Sequence, residues 1–348
     1  MTPINRQPLH EQIADILRRE IRTQHKPGDR LDSESKLAER FAVSTVTLRE
    51  AMLQLSQEGL IERRHGSGTY VLDEAGQQRI VILVNPDILS ESASYFWTKV
   101  TRETQRMFED KGIRNWGELG TKKPPRDYPH IDGAVAISAY RNSYWPQEML
   151  DRGIPIVGND PALDCFVHND MPGMVRGGVQ YIIDTGRERP ALLLYKSQQA
   201  GMREAFRKTL KENGLKPDPE LICTETENGE LKYEGGAFQK LWEKPIQKPD
   251  AILVADDVVF KNTAYGILSR SIDVPRELLV LTHANKGADL FYPFPTIRLQ
   301  FDPTEYARAL VDGLSKRMAG EPNSDKEVLL SHTMVGTETI KKLLEASE

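Results

Sequence analysis

The chain has 348 residues, too many for one ordinary hydrophobic core, so two or three domains are expected. Hydrophobic residues make up 39% and charged residues 28%, with no apolar run long enough to span a membrane and no apolar leader at the start, so a membrane protein and a secreted one are both disfavoured. The net charge of −5 is unevenly spread: residues 1–73 hold 11 Lys+Arg and 11 Asp+Glu, leaving the whole excess to residues 74–348, so any nucleic-acid contact must rest on where charge is placed.

Residues 8–24 repeat apolar side chains at Leu9, Ile13, Ile16, Leu17 and Ile21, which predicts an amphipathic helix stopped by Lys26-Pro27-Gly28. Ser33 is the expected N-cap of a second helix over 34–41. Ala42-Val43 makes a turn, and Ser44 caps a third helix over 45–57, ended by Gly59. Strands over 60–64 and 69–72 then flank a tip of His65-Gly66-Ser67-Gly68. Three helices followed by a basic hairpin describe a winged helix-turn-helix, an α+β device for placing one helix in a DNA groove. Thr45, Thr47 and Arg49 lie at the end of the third helix that such a device presents to base edges.

Residues 74–78 are polar and short, the expected linker. After them strands alternate with helices. Strands are predicted over 79–84, 131–137, 154–157, 190–194, 251–254 and 278–281, and helices over 93–111, 146–151, 172–185, 200–213, 235–242, 261–270 and 304–318. That order implies parallel sheets with helices on both faces, and the length of 79–348 implies two such lobes. Cys165 and Cys223 fit no motif, and no C-x-x-C or H-E-x-x-H occurs, so buried thiols in a reducing cytoplasm are expected, with no metal and no cofactor.

Residues 8–72 resemble the GntR family of bacterial transcriptional regulators, through PGDRLDSESKLA, VSTVTLREAM and EGLIERRHGSGTYV. The resemblance implies DNA binding by residues 1–73, with Ser33, Lys36, Ser44, Thr45, Thr47, Arg49, Arg63, Arg64, His65 and Gly66 as candidate contacts. The chain departs from the family at Asp32, which stands for Pro, and at Ser35 and Thr45, which stand for Arg. Two cations fewer should weaken the salt-dependent part of binding, so either the operator differs from the usual family site or binding leans more on Lys36, Arg63 and Arg64. The alternative for Arg49 is an intramolecular pair with Glu50 or Glu39, and for His65 a plain loop role.

Residues 79–348 resemble the effector-binding region of LacI-family repressors, related to periplasmic binding proteins. DGAVAIS, RGIPIVGND, VHNDMPGMVRGGVQYIIDTGRERPALL, PDAILVADDVVFKNTAYGIL and FPTIRLQFDPTEYARALVDGLSKRMAGE carry that resemblance. The two together give an arabinose-repressor-like domain combination. It implies a two-lobed α/β periplasmic-binding-protein-like domain with three crossings, placed near 158–161, 285–299 and 320–326. The lobes would then be 79–159 plus about 290–321, and 160–289 plus 327–348. A cleft at the C-terminal ends of the strands nominates Ser90, Glu91, Ser138, Tyr140, Asn159, Asp160, Asn169, Asp170, Gln198, Asp256, Asp257, His283, Asn285 and Gln300 as effector contacts, with Tyr95, Phe96 and Trp97 for stacking. Cap or turn chemistry is the competing account of Asp160, Asn169, Asp256 and Asp257. Two charges that hold sugar hydroxyls in the family are missing, at Gln198 and Ala284.

The expected protein is thus a cytoplasmic, dimeric, non-enzymatic regulator, a repressor by resemblance. It would bind a near-palindromic duplex operator under control of a small polar ligand, a carbohydrate by resemblance. A ligand-independent regulator with a degenerate cleft and a solute-binding protein are the alternatives.

Overall fold

The computed structural model describes residues 8–64, 66–72, 78–85, 95–119, 131–138, 144–195, 200–225, 236–321 and 325–346. Helices α1 (Leu9–Gln24), α2 (Glu34–Phe41) and α3 (Thr45–Gln57) precede a hairpin of β1 (Ile61–Arg64) and β2 (Gly68–Val71). Local chemistry sets each boundary. Ser33 accepts from the Lys36 N–H at 3.4 Å, and Ser44 from the Thr47 N–H at 3.1 Å. Ala42 adopts a left-handed φ of 52° to turn α2 into α3. Gly59, at φ 70°, lets Leu60 N–H reach back to Leu55 C=O at 3.0 Å and close α3. Ile13, Leu17, Ile21, Leu37, Leu48, Leu55, Leu60 and Val71 form a core separate from the rest of the chain.

Two six-stranded sheets follow. The first runs β13-β7-β6-β5-β3-β4, all parallel: β3 (Arg79–Val84), β4 (Arg114–Leu119), β5 (Gly133–Ile137), β6 (Ile156–Gly158), β7 (Cys165–Asn169) and β13 (Glu327–Leu330). Helices α4 (Tyr95–Asp110) and α10 (Pro303–Met318) pack together over it, and α5 (Tyr144–Asp151) lies beside β6. The second runs β14-β12-β11-β10-β8-β9: β8 (Pro190–Tyr195), β9 (Ile222–Glu225), β10 (Ala251–Val254), β11 (Leu279–Asn285), β12 (Ile297–Phe301) and an antiparallel edge, β14 (Thr333–Val335). It carries α6 (Met171–Asp184) and α7 (Ala200–Glu212) on one face and α8 (Ala237–Glu243) and α9 (Asp257–Ser269) on the other, with α11 (Thr337–Glu345) closing the chain.

The lobes divide later than the sequence suggests. β7 stays in the first sheet and β12 in the second, so the crossings fall at β7–α6, β12–α10 and β13–β14. The Asn159–Pro161 segment is a turn, but it returns the chain to the same sheet. β7 and β12 escape the pattern because they alternate buried and half-buried residues, near the sheet edge, instead of forming one continuous apolar run. β4, β9 and α11 also lie outside the elements predicted from the sequence.

A charged joint ties the winged helix to the first lobe. Arg18 of α1 holds the Glu58 carboxylate with two bonds of 2.8 and 2.7 Å, both side chains almost fully buried. Glu58 is the C-cap of α3, and the Arg79 guanidinium, from the first residue of β3, donates to its carbonyl. Arg22 of α1 pairs with Asp132, whose other oxygen accepts from the Arg79 N–H at 2.8 Å. Burial pushes the Arg22 guanidinium down to about 10, and its Nε and Nη2 have no partner among the described residues.

At the far end of β10, Asp256 caps α9 by accepting from the Val258 N–H at 2.9 Å. Burial, with Asp257 beside it, pushes its carboxyl up to about 6. Because the folded value lies above the unfolded one, ionising Asp256 costs stability, and the cost grows as pH rises from about 4 to about 6.

Two outcomes follow. Glu58→Gln removes the buried one of the two carboxylates that Arg18 pairs with, leaving the half-exposed Asp15, and should destabilise the winged helix by about 2 kcal/mol, seen in calorimetry of the full chain as a lower first transition. Asp256→Asn keeps the cap acceptor without the charge. It should stabilise the larger domain by on the order of 2 kcal/mol above about pH 7, with a gain that shrinks towards pH 4; a gain flat with pH in urea titrations would count against the assignment.

Candidate functional site

One face of the winged helix gathers the cations. The N-terminus of α3 exposes Thr45 and Val46, with Thr47 half-buried and its hydroxyl 2.9 Å from that of Ser44. Arg49, the next turn along, donates from Nε to Glu34 Oε2 at 3.0 Å, and Arg63 of β1 reaches the other oxygen of the same carboxylate at 2.7 Å. Glu34, in the first turn of α2, therefore bridges the recognition helix and the wing. Neither Glu50 nor Glu39 is the partner of Arg49; Glu50 lies 3.5 Å from His10 instead. Arg64 pairs with Glu62 at 2.9 Å and stacks 4.8 Å from the Tyr70 ring centre, while Lys36 lies 3.7 Å from Asp32. Gly66, at φ 74°, makes the wing tip, and His65 lies outside the described residues.

The segment before α2 pairs with β2 through an isolated antiparallel bridge. Gly28 N–H donates to Val71 C=O, Val71 N–H to Asp29 C=O and Leu31 N–H to Thr69 C=O, each at 2.9 Å, with Arg30 opposite Tyr70. The exposed Arg30 side chain lies over Gly68, where an added Cβ would sit 2.6 Å from its Nε. Neither Glu34 nor Arg30 stands out in the sequence. Glu34 reads as an ordinary acidic first turn, and Arg30 reads as part of a loop.

At the inter-lobe cleft, Ser90, Glu91, Tyr140 and Gln198 lie outside the described residues. The second lobe brings together Asp257, His283 and Asn285. Asn285 donates to Asp257 Oδ2 at 3.2 Å, and His283 Nδ1 is buried without a partner among the described residues. Burial pushes the His283 imidazole down, against the pull of Asp257. From the first lobe come Ser138, held at φ 53° at the end of β5, and Asn159 after β6, whose Oδ1 is likewise buried and unpartnered among the described residues. Tyr95 bridges the lobes: its hydroxyl would sit 2.9 Å from a Cβ on Gly287, in the turn after β11. Gln300 is half-buried on β12, level with Ala284.

Other nominees serve the fold. Phe96 and Trp97 pack edge-on against each other and against Tyr306 of α10, as core rather than a stacking platform. Asp160 accepts from the Ala162 N–H at 2.9 Å, a turn role. Asp170 caps α6 through the Gly173 N–H at 2.7 Å, pairs with Arg176 at 3.3 Å, and donates its own N–H to Leu330 C=O at 2.8 Å, so it fastens two crossings together. Asn169 pairs in register with Leu330 at the end of β7.

Residues 9–71 match the family model of bacterial regulatory proteins, gntR family, and residues 179–339 that of a periplasmic binding protein-like domain. The mannosyl-D-glycerate transport/metabolism system repressor MngR of Escherichia coli (strain K12) is 50% identical over 68 residues, 19% of this chain and 28% of that protein. The HTH-type transcriptional regulator CelR of Thermobifida fusca is 25% identical over 223 residues, 59% of this chain and 63% of that protein. A solved transcriptional regulator CelR–cellobiose complex shares the fold at a TM-score of 0.59 and 17% identity, over 84% of this chain and 90% of its own. The chain spans only 27–40% of the length of the first three curated relatives it matches. The protein therefore joins a GntR-type helix-turn-helix domain to a periplasmic binding protein-like domain.

Proposed function

We propose that the protein is a DNA-binding transcriptional regulator, a repressor, that acts as a homodimer on a near-palindromic operator. A small polar ligand of carbohydrate type, bound between the lobes, sets its affinity. The observation that carries this reading is the joint of Arg18, Glu58, Arg79, Arg22 and Asp132, which fastens the recognition helix to the first lobe. Motion of that lobe is thereby motion of the DNA reader, and a ligand that prefers one lobe arrangement shifts DNA affinity by its difference in affinity for the two. The repressor MngR and the cellobiose complex of CelR support the class of function and of effector. The unpartnered Asn159 Oδ1 and His283 Nδ1 support a polar ligand, since buried acceptors and donors left without partners are costly.

A regulator with a silent cleft is the second reading. Asn285 and Asp257 favour it because each already satisfies the other, and Ala284 supplies no hydroxyl-binding charge.

Selection from a random duplex pool should enrich a near-palindrome, and Arg49→Ala should weaken binding to it by about 2 kcal/mol while leaving shuffled DNA much less affected. Failure to enrich any duplex would refute the regulator reading. In a thermal-shift panel of mono- and oligosaccharides that includes cellobiose, one compound should raise the melting midpoint of the larger domain and change operator affinity; silence from every member would favour the second reading.

A further inference from the structure

Four cations on the DNA-facing surface are paired with carboxylates. Arg49 and Arg63 share Glu34, Arg64 has Glu62, and Lys36 has Asp32. Arg30 differs. It is exposed, and no carboxylate among the described residues pairs with it. It is nevertheless placed: its backbone is stitched to β2 by the bonds of Asp29 and Leu31, and its guanidinium runs along β2 across the one wing position that has no side chain. A Cβ at Gly68 would stand 2.6 Å from Nε and 3.2 Å from both Cζ and Nη2, so only glycine leaves room for this path.

We propose that Arg30 is a phosphate-binding residue of the wing, held against Gly68 and ready to meet the DNA backbone without first surrendering an internal partner. The division of labour follows from the charges. Arg49 and Arg63 must exchange the Glu34 carboxylate for DNA, so part of what they gain is offset by what they lose. Arg30 releases only counterions from the duplex, so its contribution is independent of sequence and sensitive to salt. In a domain whose charges sum to zero, such a cation supplies affinity that the recognition helix lacks.

The proposal rests on the DNA-binding reading, and the test separates the two. Binding of the full chain to its selected duplex, and to the same duplex with its sequence shuffled, is measured over a range of salt for wild type, Arg30→Ala, Arg30→Lys and Arg49→Ala. Arg30→Ala should weaken both duplexes by a similar factor, about fivefold at physiological salt, and make the slope of log affinity against log salt shallower by about 1. Arg30→Lys should keep the slope, because it keeps the charge. Arg49→Ala should instead fall mainly on the selected duplex. An unchanged slope in Arg30→Ala overturns the proposal while leaving the regulator reading intact, as does a loss confined to the selected duplex. A drop in Arg30→Ala that Arg30→Lys fails to restore, with a lowered melting midpoint, assigns Arg30 a purely structural role and also overturns it. A wild type that binds neither duplex overturns both readings.

Discussion

The Glu58 carboxylate, buried in the grip of Arg18, is the contact on which the rest of the molecule's arrangement depends. Two opposite charges removed from water are tolerable only when each satisfies the other with good geometry, and the two parallel bonds of this pair supply that. The pair fixes α1 against the last turn of α3, and so fixes the angle at which the recognition helix leaves the domain. Because Glu58 is also the C-cap of α3, its carbonyl is available to Arg79, and one residue anchors both the interior of the winged helix and its attachment to the first lobe. Arg22 is the weaker member of that attachment. It is a largely buried cation whose ion-pair partner is Asp132 and whose Nε and Nη2 have no partner among the described residues.

The recognition surface solves a different problem. A domain with no net positive charge must keep its arginines extended without exposing a field that attracts any polyanion. Glu34 does this by standing between Arg49 and Arg63, holding helix and wing at a set separation. Any acceptor that takes up these two arginines must first compete with the carboxylate that holds them both.

Much of this was legible in the chain because local rules and tertiary packing agree. The bounds of α2 and α3 follow from Ser33, Ser44 and the apolar period, and the structure reproduces them residue for residue. The alternation after residue 78 is equally plain. What stayed hidden was through-space. The partner of Arg49 lies 15 residues away, across a turn, whereas helical spacing points to Glu50 or Glu39. β7 and β12 are half-buried strands beside the crossings, and their alternating residues look like loop, which shifted the first two expected crossings towards the N-terminus. At the cleft, cap and turn chemistry accounts for Asp160, Asp170 and Asp256, as short acidic side chains before helices often require. Asn159 and His283 are distinguished only by having no partner among the described residues, a property that no sequence pattern encodes.

All three crossings leave from strands at one edge of a sheet, β7 and β13 in the first and β12 in the second, and the last arrives at β14 on that same edge of the second. The lobes are thus bound along a common spine, like the covers of a book. The winged helix is fastened at the start of β3, three strands from β7. At the usual strand spacing this is a lever arm of about 14 Å, so a closure of about ten degrees would move that anchoring point by roughly 2.5 Å relative to the second lobe. A small hinge at the spine is thereby enlarged at the strand that carries the winged helix.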